Sequence, residues 1–350
     1  MRDSRQPLRC RGWGIRAEQS GKLNQQVRVP GTEVIDVDAT RVNRVMGSVD
    51  VGDSSTRFPG RSGRPSQEYN TRMSRGRLVK GAMAALALAV FVATASAQGF
   101  RRGNRFFGQL RAPTPESFDG SFNFCRIEFP HDPSFYGYSS PWWVDYPRAD
   151  INLSIRLSEL TKTRISRQPD GEPNHLVMDL NDPAMFNCPF IMMTEPGGAY
   201  IGQTEAVHLR EYLLKGGFLW ADDFWGTDAW EHFAGELSKV LPPDEYPIRD
   251  LPRDHPLFHA QFEVARVPQI PSIGNWGGPG GPTSELGSDS AEAHARGISD
   301  SHGRLMVLIT HNTDFGDAFE REGDDPRYFY TFSVEGYAFG INALLYGLTH

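Results

Sequence analysis

The sequence has few cysteines, three in 350 residues, so a small disulfide-rich scaffold is excluded. It also has no apolar run long enough to span a bilayer. The longest, residues 81–93, would rise about 20 Å as a helix, against a hydrocarbon core of about 30 Å. The motifs GxGxxG, GxxxxGK[ST], GxSxG and HExxH are missing as well. Nothing therefore indicates dinucleotide redox chemistry, a phosphate-binding loop, a serine nucleophile elbow or a metalloprotease helix.

The first 72 residues lack a hydrophobic period. They carry 13 Lys+Arg and 8 Asp+Glu, with scattered glycine and serine. Such a segment buries too little apolar area to offset its ordering entropy, so we expect residues 1–72 to be disordered.

A secretory signal peptide is predicted at 73–97. Basic residues from Met73 to Lys80 precede the apolar run 81–93, and Ala95-Ser96-Ala97 is an A-x-A cleavage site. Because signal peptides begin at the N-terminus, we expect translation to start at Met73 and the mature chain, periplasmic or secreted, to start at Gln98. The alternative is a membrane anchor with an unusually short span.

The mature chain is acidic. Residues 98–350 hold 20 Lys+Arg and 35 Asp+Glu, a net charge of −15. This argues against nucleic acid or an anionic membrane as partner, because both need a basic footprint. Cys125 and Cys188 remain in this part of the chain, and either a disulfide between them or two buried free thiols fits their apolar surroundings.

Residues 121–350 are predicted to form one α/β domain after a flexible lead-in at 98–120. Apolar runs typical of strands alternate with segments of helical period, which favours a mostly parallel sheet covered by helices. The predicted strands lie at 122–129, 190–193, 218–221 and 305–310, and the predicted helices begin near Asp150, Thr204, Thr227 and Tyr337. A glycine- and proline-rich loop is predicted over 268–303.

Polar residues follow each predicted strand, and the carboxyl ends of parallel strands meet at one edge, where ligands bind. The candidate ligand-binding residues are Trp143, Asp145, Tyr146, Glu195, Gly197, Gly198, Asp222, Asp223, Trp225, His311, Asn312 and Asp314. Hard ligands for a divalent metal are available in Asp222, Asp223, His311, Asp314 and Asp317, without a fixed metal-binding spacing. No cofactor is otherwise indicated.

Four stretches together resemble the bacterial DUF4159 family, whose function is unknown. They are Trp142–Asp150, Gly216–Asp223, Asp254–Phe258 and His311–Asp317. The resemblance implies a three-layer flavodoxin-like fold similar to class I glutamine amidotransferases, and a genomic setting near MoxR-type ATPases. Some related domains lie beneath transmembrane segments of aerotolerance-type proteins, whereas this chain has only a signal peptide, so no membrane tether is expected. Glu195-Pro196-Gly197 stands where an amidotransferase has its nucleophilic cysteine, so glutaminase activity is not expected.

We therefore expect an exported domain that binds a small polar, carbohydrate-like ligand without turnover. Aromatic residues beside several carboxylates, with no recognisable nucleophile, favour this interpretation. The alternatives are a metal-assisted hydrolase that uses the same aspartates and His311, and an assembly module with a cell-envelope protein as partner.

Overall fold

The computed structural model describes residues 110–350. The predicted disordered segment 1–72, the signal peptide 73–97 and most of the lead-in lie outside the described residues. In the described part of the lead-in, the carbonyl oxygen of Arg111 accepts a hydrogen bond from the amide of Val177 at 2.9 Å. The guanidinium of Arg111 also pairs with Glu172 at 2.6 Å, so this end of the lead-in contacts the domain.

Seven strands form one mixed sheet. They are β1 (Phe124–Ile127), β2 (His175–Met178), β3 (Phe190–Thr194), β4 (Phe218–Asp222), β5 (Arg249–Asp250), β6 (His294–Ser299) and β7 (Leu305–His311). Their order is β2-β1-β3-β4-β7-β6-β5. The first five in this order are parallel, and β6 and β5 are added antiparallel at one edge. Every residue of β3, β4 and β7 is buried, as expected for strands covered on both faces.

Helices follow β1, β3 and β4, a short one lies between β5 and β6, and the others follow β7. They are α1 (Arg148–Leu160), α2 (Gln203–Leu214), α3 (Gly226–Val240), α4 (Ile273–Trp276), α5 (Phe315–Glu320), α6 (Pro326–Tyr328) and α7 (Val334–Thr349), with a π-helical turn at Phe329–Ser333 before α7. The α/β character predicted from the sequence is confirmed. Within residues 110–350, no helix combines the length and the apolar character needed to cross a bilayer.

The core is built around Trp220 in β4. Its ring is fully buried and contacts Phe315 and Phe319 of α5 and Phe339 of α7. Its indole Nε1 donates to Oγ1 of Thr310 at 2.7 Å, so the one polar atom of this side chain has a partner. Through these contacts Trp220 packs β4 against β7 and α5. All three elements carry residues of the candidate site.

Three elements differ from the sequence-based expectation. Helix α2 begins at Gln203, after Gly202, whose amide donates to Oε2 of Glu205 at 2.7 Å, so Thr204 does not cap it. Strand β2 was not predicted because its four residues, three of them apolar, show no period. Strand β6 lies within the predicted loop 268–303, and its alternation of half-buried and buried residues is that of a sheet margin.

A disulfide joins Cys125 in β1 to Cys188, which lies just before β3. The Cα atoms are 6.3 Å apart, within the range a disulfide can bridge. The pairing follows from the sheet order, because β1 and β3 are neighbours although 63 residues separate the two cysteines. Of the two alternatives left open by the sequence, the structure shows the disulfide.

Candidate functional site

Arg126 in β1 is fully buried and forms an ion pair with the equally buried Asp150 in the first turn of α1. Its Nε donates to both carboxylate oxygens at 3.2 and 3.1 Å, and its Nη2 donates to Oδ1 at 2.5 Å. The pair satisfies two charges that could not remain buried alone.

The same guanidinium fixes the loop between β1 and α1. Nη1 donates to the carbonyl oxygens of Trp142 and Val144 at 3.2 and 3.3 Å, and to Oγ1 of Thr194 at 2.6 Å. Because Val144 directly precedes Asp145, the backbone that carries the Asp145 carboxylate is anchored to a buried charge. Arg126 is therefore a positioning residue for Asp145.

The carboxylate of Asp145 packs against the backbone of Gly316 in α5. A Cβ at Gly316 would overlap Oδ2 of Asp145, so glycine is needed there for the close approach. Among the residues that the structure describes, no hydrogen-bond donor reaches this Oδ2, although the atom is buried.

Strand β4 ends in two consecutive aspartates with different surroundings. Asp222 accepts hydrogen bonds from Oγ1 of Thr310 at 2.5 Å and from the amide of Phe315 at 3.0 Å. Asp223 accepts a hydrogen bond from Nε1 of Trp225 at 3.2 Å. Asp222 thus ties β4 to β7 and α5, whereas Asp223 keeps most of its acceptor capacity.

Glu195 follows β3, with its amide bonded to the carbonyl oxygen of Asp222 at 2.9 Å. The side chain is 3 % exposed, and its Oε2 has no hydrogen-bond partner. The two glycines that follow serve close packing: a Cβ at Gly197 would be 2.7 Å from Cβ of Ala229, and one at Gly198 would overlap the ring of His131. This loop is built without room for additional side-chain atoms.

His311, the last residue of β7, bonds to groups other than these carboxylates. Its Nε2 donates to the carbonyl oxygen of Gly226 at 3.0 Å, and its Nδ1 accepts from Nη1 of Arg296 at 3.3 Å. Burial lowers the pKa of His311 to about 4, so the ring is neutral at physiological pH. Asn312 accepts a hydrogen bond from the amide of Gly226 at 2.9 Å and joins β7 to the start of α3.

Asp314 and Asp317 lie at the start of α5. Oδ1 of Asp314 caps the helix by accepting from the amide of Asp317 at 2.6 Å. Asp317 accepts from the amide of Ile273 at 2.5 Å and from Nε of Arg321 at 3.1 Å.

Two sets of three carboxylates converge at the carboxyl ends of the parallel strands. In each set one ligand oxygen per residue lies within 4.8 Å of the others. The sets are Asp145 with Asp223 and Asp314, and Asp145 with Asp317 and Glu320. We call these five residues the acidic cluster. Asp145 belongs to both sets, and the cluster joins the loops after β1, β4 and β7.

Within residues 110–350, four residues other than glycine have left-handed backbone, and each follows a different parallel strand. They are Asp145 (φ 61°), Glu195 (φ 55°), Asp223 (φ 61°) and Asn312 (φ 59°). All four were predicted site residues. Such conformations cost about 1–3 kcal/mol each and concentrate at functional sites.

Several carboxyl groups of the cluster hold their protons unusually tightly. Burial, and then the negative charge of neighbouring carboxylates, raises the pKa of Asp145, Asp223 and Asp314 well above the ordinary value. Burial also raises the pKa of Glu195 and of Asp222 to about 7. The site therefore carries more acidic groups than its own cations can neutralise.

The structure brings together only part of the predicted metal ligands. Asp223, Asp314 and Asp317 lie in the acidic cluster, whereas Asp222 lies beneath it and His311 is turned towards Gly226. Among the other predicted site residues, Tyr146 is buried and its hydroxyl bonds to Nδ1 of His175 at 2.8 Å. Trp143 is 40 % exposed in the loop of Asp145, and Trp225 is buried against Asp223.

Sequence reasoning missed four residues of this region: Arg126, Tyr138, Glu285 and Glu320. The hydroxyl of Tyr138 donates to Oε2 of Glu285 at 3.2 Å, and Oε1 of Glu285 accepts from the amide of Ser272 at 2.7 Å. Glu320 could have been predicted from its spacing, because it lies three residues after Asp317 and shares its helix face.

The fold and the cluster define an α/β domain with a convergent acidic site at the carboxyl ends of its parallel strands. The family model described as "Domain of unknown function (DUF4159)" matches residues 135–348. The chain belongs to this family. No curated protein matches the chain.

The raised pKa values predict that the cation-free protein is most stable in mild acid. Between about pH 4 and pH 7, folded Glu195 and Asp222 keep protons that the unfolded chain has released, so stability falls as the pH rises through this range. His311 acts in the opposite direction below about pH 6.5, but it is one group against several carboxyls. In the presence of EDTA we expect the Tm to be about 5 °C higher at pH 5 than at pH 8, measured by calorimetry. A Tm that instead rises from pH 5 to pH 8 would contradict the assignment of raised pKa values.

Proposed function

We propose that the domain binds a small, oxygen-rich polar ligand of the carbohydrate type through a divalent cation, without turning it over. One observation supports this above all: ligand oxygens of Asp145, Asp223 and Asp314 converge within 4.8 Å, while the buried Oδ2 of Asp145 accepts no hydrogen bond. Buried carboxylates need a counter-charge, and a cation between these three would supply it. Glu195, buried nearby with an unpartnered Oε2, points to the same need.

The donor set indicates the kind of cation. All three residues offer carboxylate oxygens, which suit Mg²⁺, Mn²⁺ and Ca²⁺ rather than a soft metal. Three protein ligands also leave coordination positions open for oxygens of a ligand.

Exposed aromatic side chains in the loop that carries Asp145 support a carbohydrate-like ligand. Tyr136 (92 % exposed), Tyr138 (46 %) and Trp143 (40 %) belong to the loop that carries Asp145. Aromatic walls with a few convergent polar groups are typical of small-molecule sites. An aromatic face covers the C–H face of a sugar, while its hydroxyl oxygens complete the shell of the cation.

Calorimetric titration of the full chain with Ca²⁺ or Mn²⁺, after treatment with EDTA and desalting, tests the cation site. We expect Asp223→Asn to weaken binding at least tenfold, because it removes one charged ligand from a set of three. Asp254→Asn is the matched control, since Asp254 is exposed and lies outside the acidic cluster.

Equal affinities for the unchanged chain and Asp223→Asn, or no binding by either, would contradict the proposal. The carbohydrate part is tested separately by thermal shift with neutral monosaccharides and disaccharides. A rise in Tm is expected with cation present and not with EDTA. If no sugar changed the Tm of the cation-loaded chain, the carbohydrate assignment would be contradicted.

The second candidate function is metal-assisted hydrolysis at the same site. The observation that favours it is the buried, unpartnered Oε2 of Glu195 beside the cluster, a suitable position for a group that transfers a proton. Cation-dependent release of p-nitrophenol from acetyl, phosphoryl or glycosyl derivatives would support it, and Glu195→Gln should then abolish turnover while the cation remains bound.

We also propose that the fold is a three-layer, flavodoxin-like arrangement similar to class I glutamine amidotransferases. Its support is the strand order: the five parallel strands, counted along the chain, run 2-1-3-4-5. Asp145 and Glu195 follow β1 and β3, where this order reverses. In such folds ligands bind at the reversal point.

Export of the domain remains part of the proposal. The Cys125–Cys188 disulfide supports it, because structural disulfides form and persist mainly in oxidising compartments such as the periplasm. Fractionation of cells that express the chain, followed by N-terminal sequencing, tests it. A mature protein beginning near Gln98 is the expected result, and a cytoplasmic chain that retains residues 1–72 would contradict it.

A further inference from the structure

We infer that Asp145 bridges two divalent cations, one held with Asp223 and Asp314 and the other with Asp317 and Glu320, and that the pair binds an oxyanion group of the phosphate type. The inference rests on the proposed cation site and adds a second cation and a ligand class to it.

The geometry of the second position resembles that of the first. Single oxygens of Asp145, Asp317 and Glu320 lie within 4.8 Å of one another, as do those of the first set. Asp145 is common to both sets, and a shared carboxylate is the usual bridge between two cations about 3.5–4 Å apart. This carboxylate packs against Gly316 of α5, the helix that begins after Asp314 and carries Asp317 and Glu320.

One buried oxygen of the shared carboxylate lacks a donor among the described residues: Oδ2 of Asp145 accepts no hydrogen bond. Arg321 contacts the cluster at its edge, with Nη2 at 2.8 Å from Oε2 of Glu320 and Nε at 3.1 Å from Oδ1 of Asp317. One guanidinium therefore serves two carboxylates, and within residues 110–350 no donor reaches Oδ2 of Asp145.

Charge balance favours two cations over one. The five carboxylates of the acidic cluster and the adjacent Arg321 carry a net charge of minus four when all are ionised. One divalent cation would leave half of this charge uncompensated in a buried site, whereas two neutralise it.

The ligand class follows from the same chemistry. Two hard cations side by side bind the oxygens of one oxyanion, and all-oxygen sites of this kind hold phosphate groups through Mg²⁺ or Mn²⁺. Without the cations the acidic cluster would repel an anion. Binding of the oxyanion is therefore strictly dependent on the cations, and the proposed polar ligand carries a phosphate-type group.

The stoichiometry of Mn²⁺ binding tests the second position. By calorimetry with the full chain we expect two Mn²⁺ per chain, one in Glu320→Gln, and at least tenfold weaker binding at both positions in Asp145→Asn. Glu335→Gln is the matched control, because Glu335 is exposed in the first turn of α7. Spin coupling between the two Mn²⁺ ions, seen by electron paramagnetic resonance, should vanish in Glu320→Gln.

Inorganic phosphate is the probe for the oxyanion. We expect it to bind the Mn²⁺-loaded chain, to bind Glu320→Gln at least tenfold more weakly, and not to bind in EDTA. One Mn²⁺ per chain, with Glu320→Gln unchanged, would overturn the inference and leave the proposed function standing. If the chain bound no Mn²⁺ at all, both the inference and the proposed function would be contradicted. Equal phosphate affinity in the unchanged chain and Glu320→Gln would overturn the oxyanion assignment.

Discussion

Replacing Arg126 with methionine is expected to lower the free energy of unfolding by about 3–5 kcal/mol. The substitution leaves the fully buried Asp150 without its counter-charge, and the carbonyl oxygens of Trp142 and Val144 without their donor. Urea unfolding of the full chain measures the change. The loop of Asp145 loses its anchor in the same variant, so cation affinity should fall as well.

The double variant Arg126→Met/Asp150→Leu separates charge from packing. Because it removes both charges, it should recover part of the lost stability, as apolar replacements of buried ion pairs often do. Arg156→Met is a control on a more exposed pair, since Arg156 bonds to Glu159 and Glu322 near the surface, and about 1 kcal/mol is expected. A loss below 1 kcal/mol for Arg126→Met would show that the buried pair does not hold the loop.

Loss of the Cys125–Cys188 disulfide is expected to cost about 4 kcal/mol. The bridge closes a loop of 63 residues, and the chain entropy that it removes from the unfolded state grows with loop length. Both cysteines are buried, so reduction also leaves two thiols in the core without other changes in contact. Urea unfolding with and without a reducing agent measures the effect, and Cys125→Ala/Cys188→Ala in the absence of reductant should reproduce it.

Thiol titration provides the control. The denatured full chain should show two more free thiols after reduction than before it, because Cys125 and Cys188 are paired. Three free thiols before reduction, or an unfolding midpoint that reductant does not change, would contradict the prediction.

The strands that the sequence predicted best are those with continuous apolar runs, β3, β4 and β7. Burial on both faces leaves an unbroken hydrophobic signature. Strand β2 was missed because His175–Met178 is only four residues long, a length at which strand and helix patterns are indistinguishable. Strand β6 was missed because only part of it is buried and a glycine- and proline-rich segment precedes it.

The sequence could predict the candidate site to the extent that the ends of the strands determine which residues lie there. Asp145, Glu195, Asp223 and Asp314 each follow a predicted strand, and a parallel sheet brings such residues to one edge. The orientation of a side chain is set by backbone angles and by neighbours, and so the sequence could not distinguish Asp223, which joins the cluster, from Asp222, which binds Thr310.

The buried charge of Arg126 shows a further limit of sequence reasoning. Within Phe124–Ile127 it reads as a residue facing solvent, because an isolated arginine is rarely buried. Its partner Asp150 is distant in sequence and could be mistaken for a helix cap. Only the fold reveals that the two meet in the core.

The four left-handed residues after β1, β3, β4 and β7 have a consequence for how this domain tolerates change. At about 1–3 kcal/mol each, their combined backbone cost is comparable with the whole net stability of an ordinary domain, about 5–15 kcal/mol. Glycine at any of these positions would relieve the cost and delete a side chain of the site. Selection for thermostability, or a computational redesign that optimises folding alone, would therefore replace these four residues before it changed residues of the core. Variants that gain heat resistance by this route are the ones in which loss of ligand recognition should be sought first.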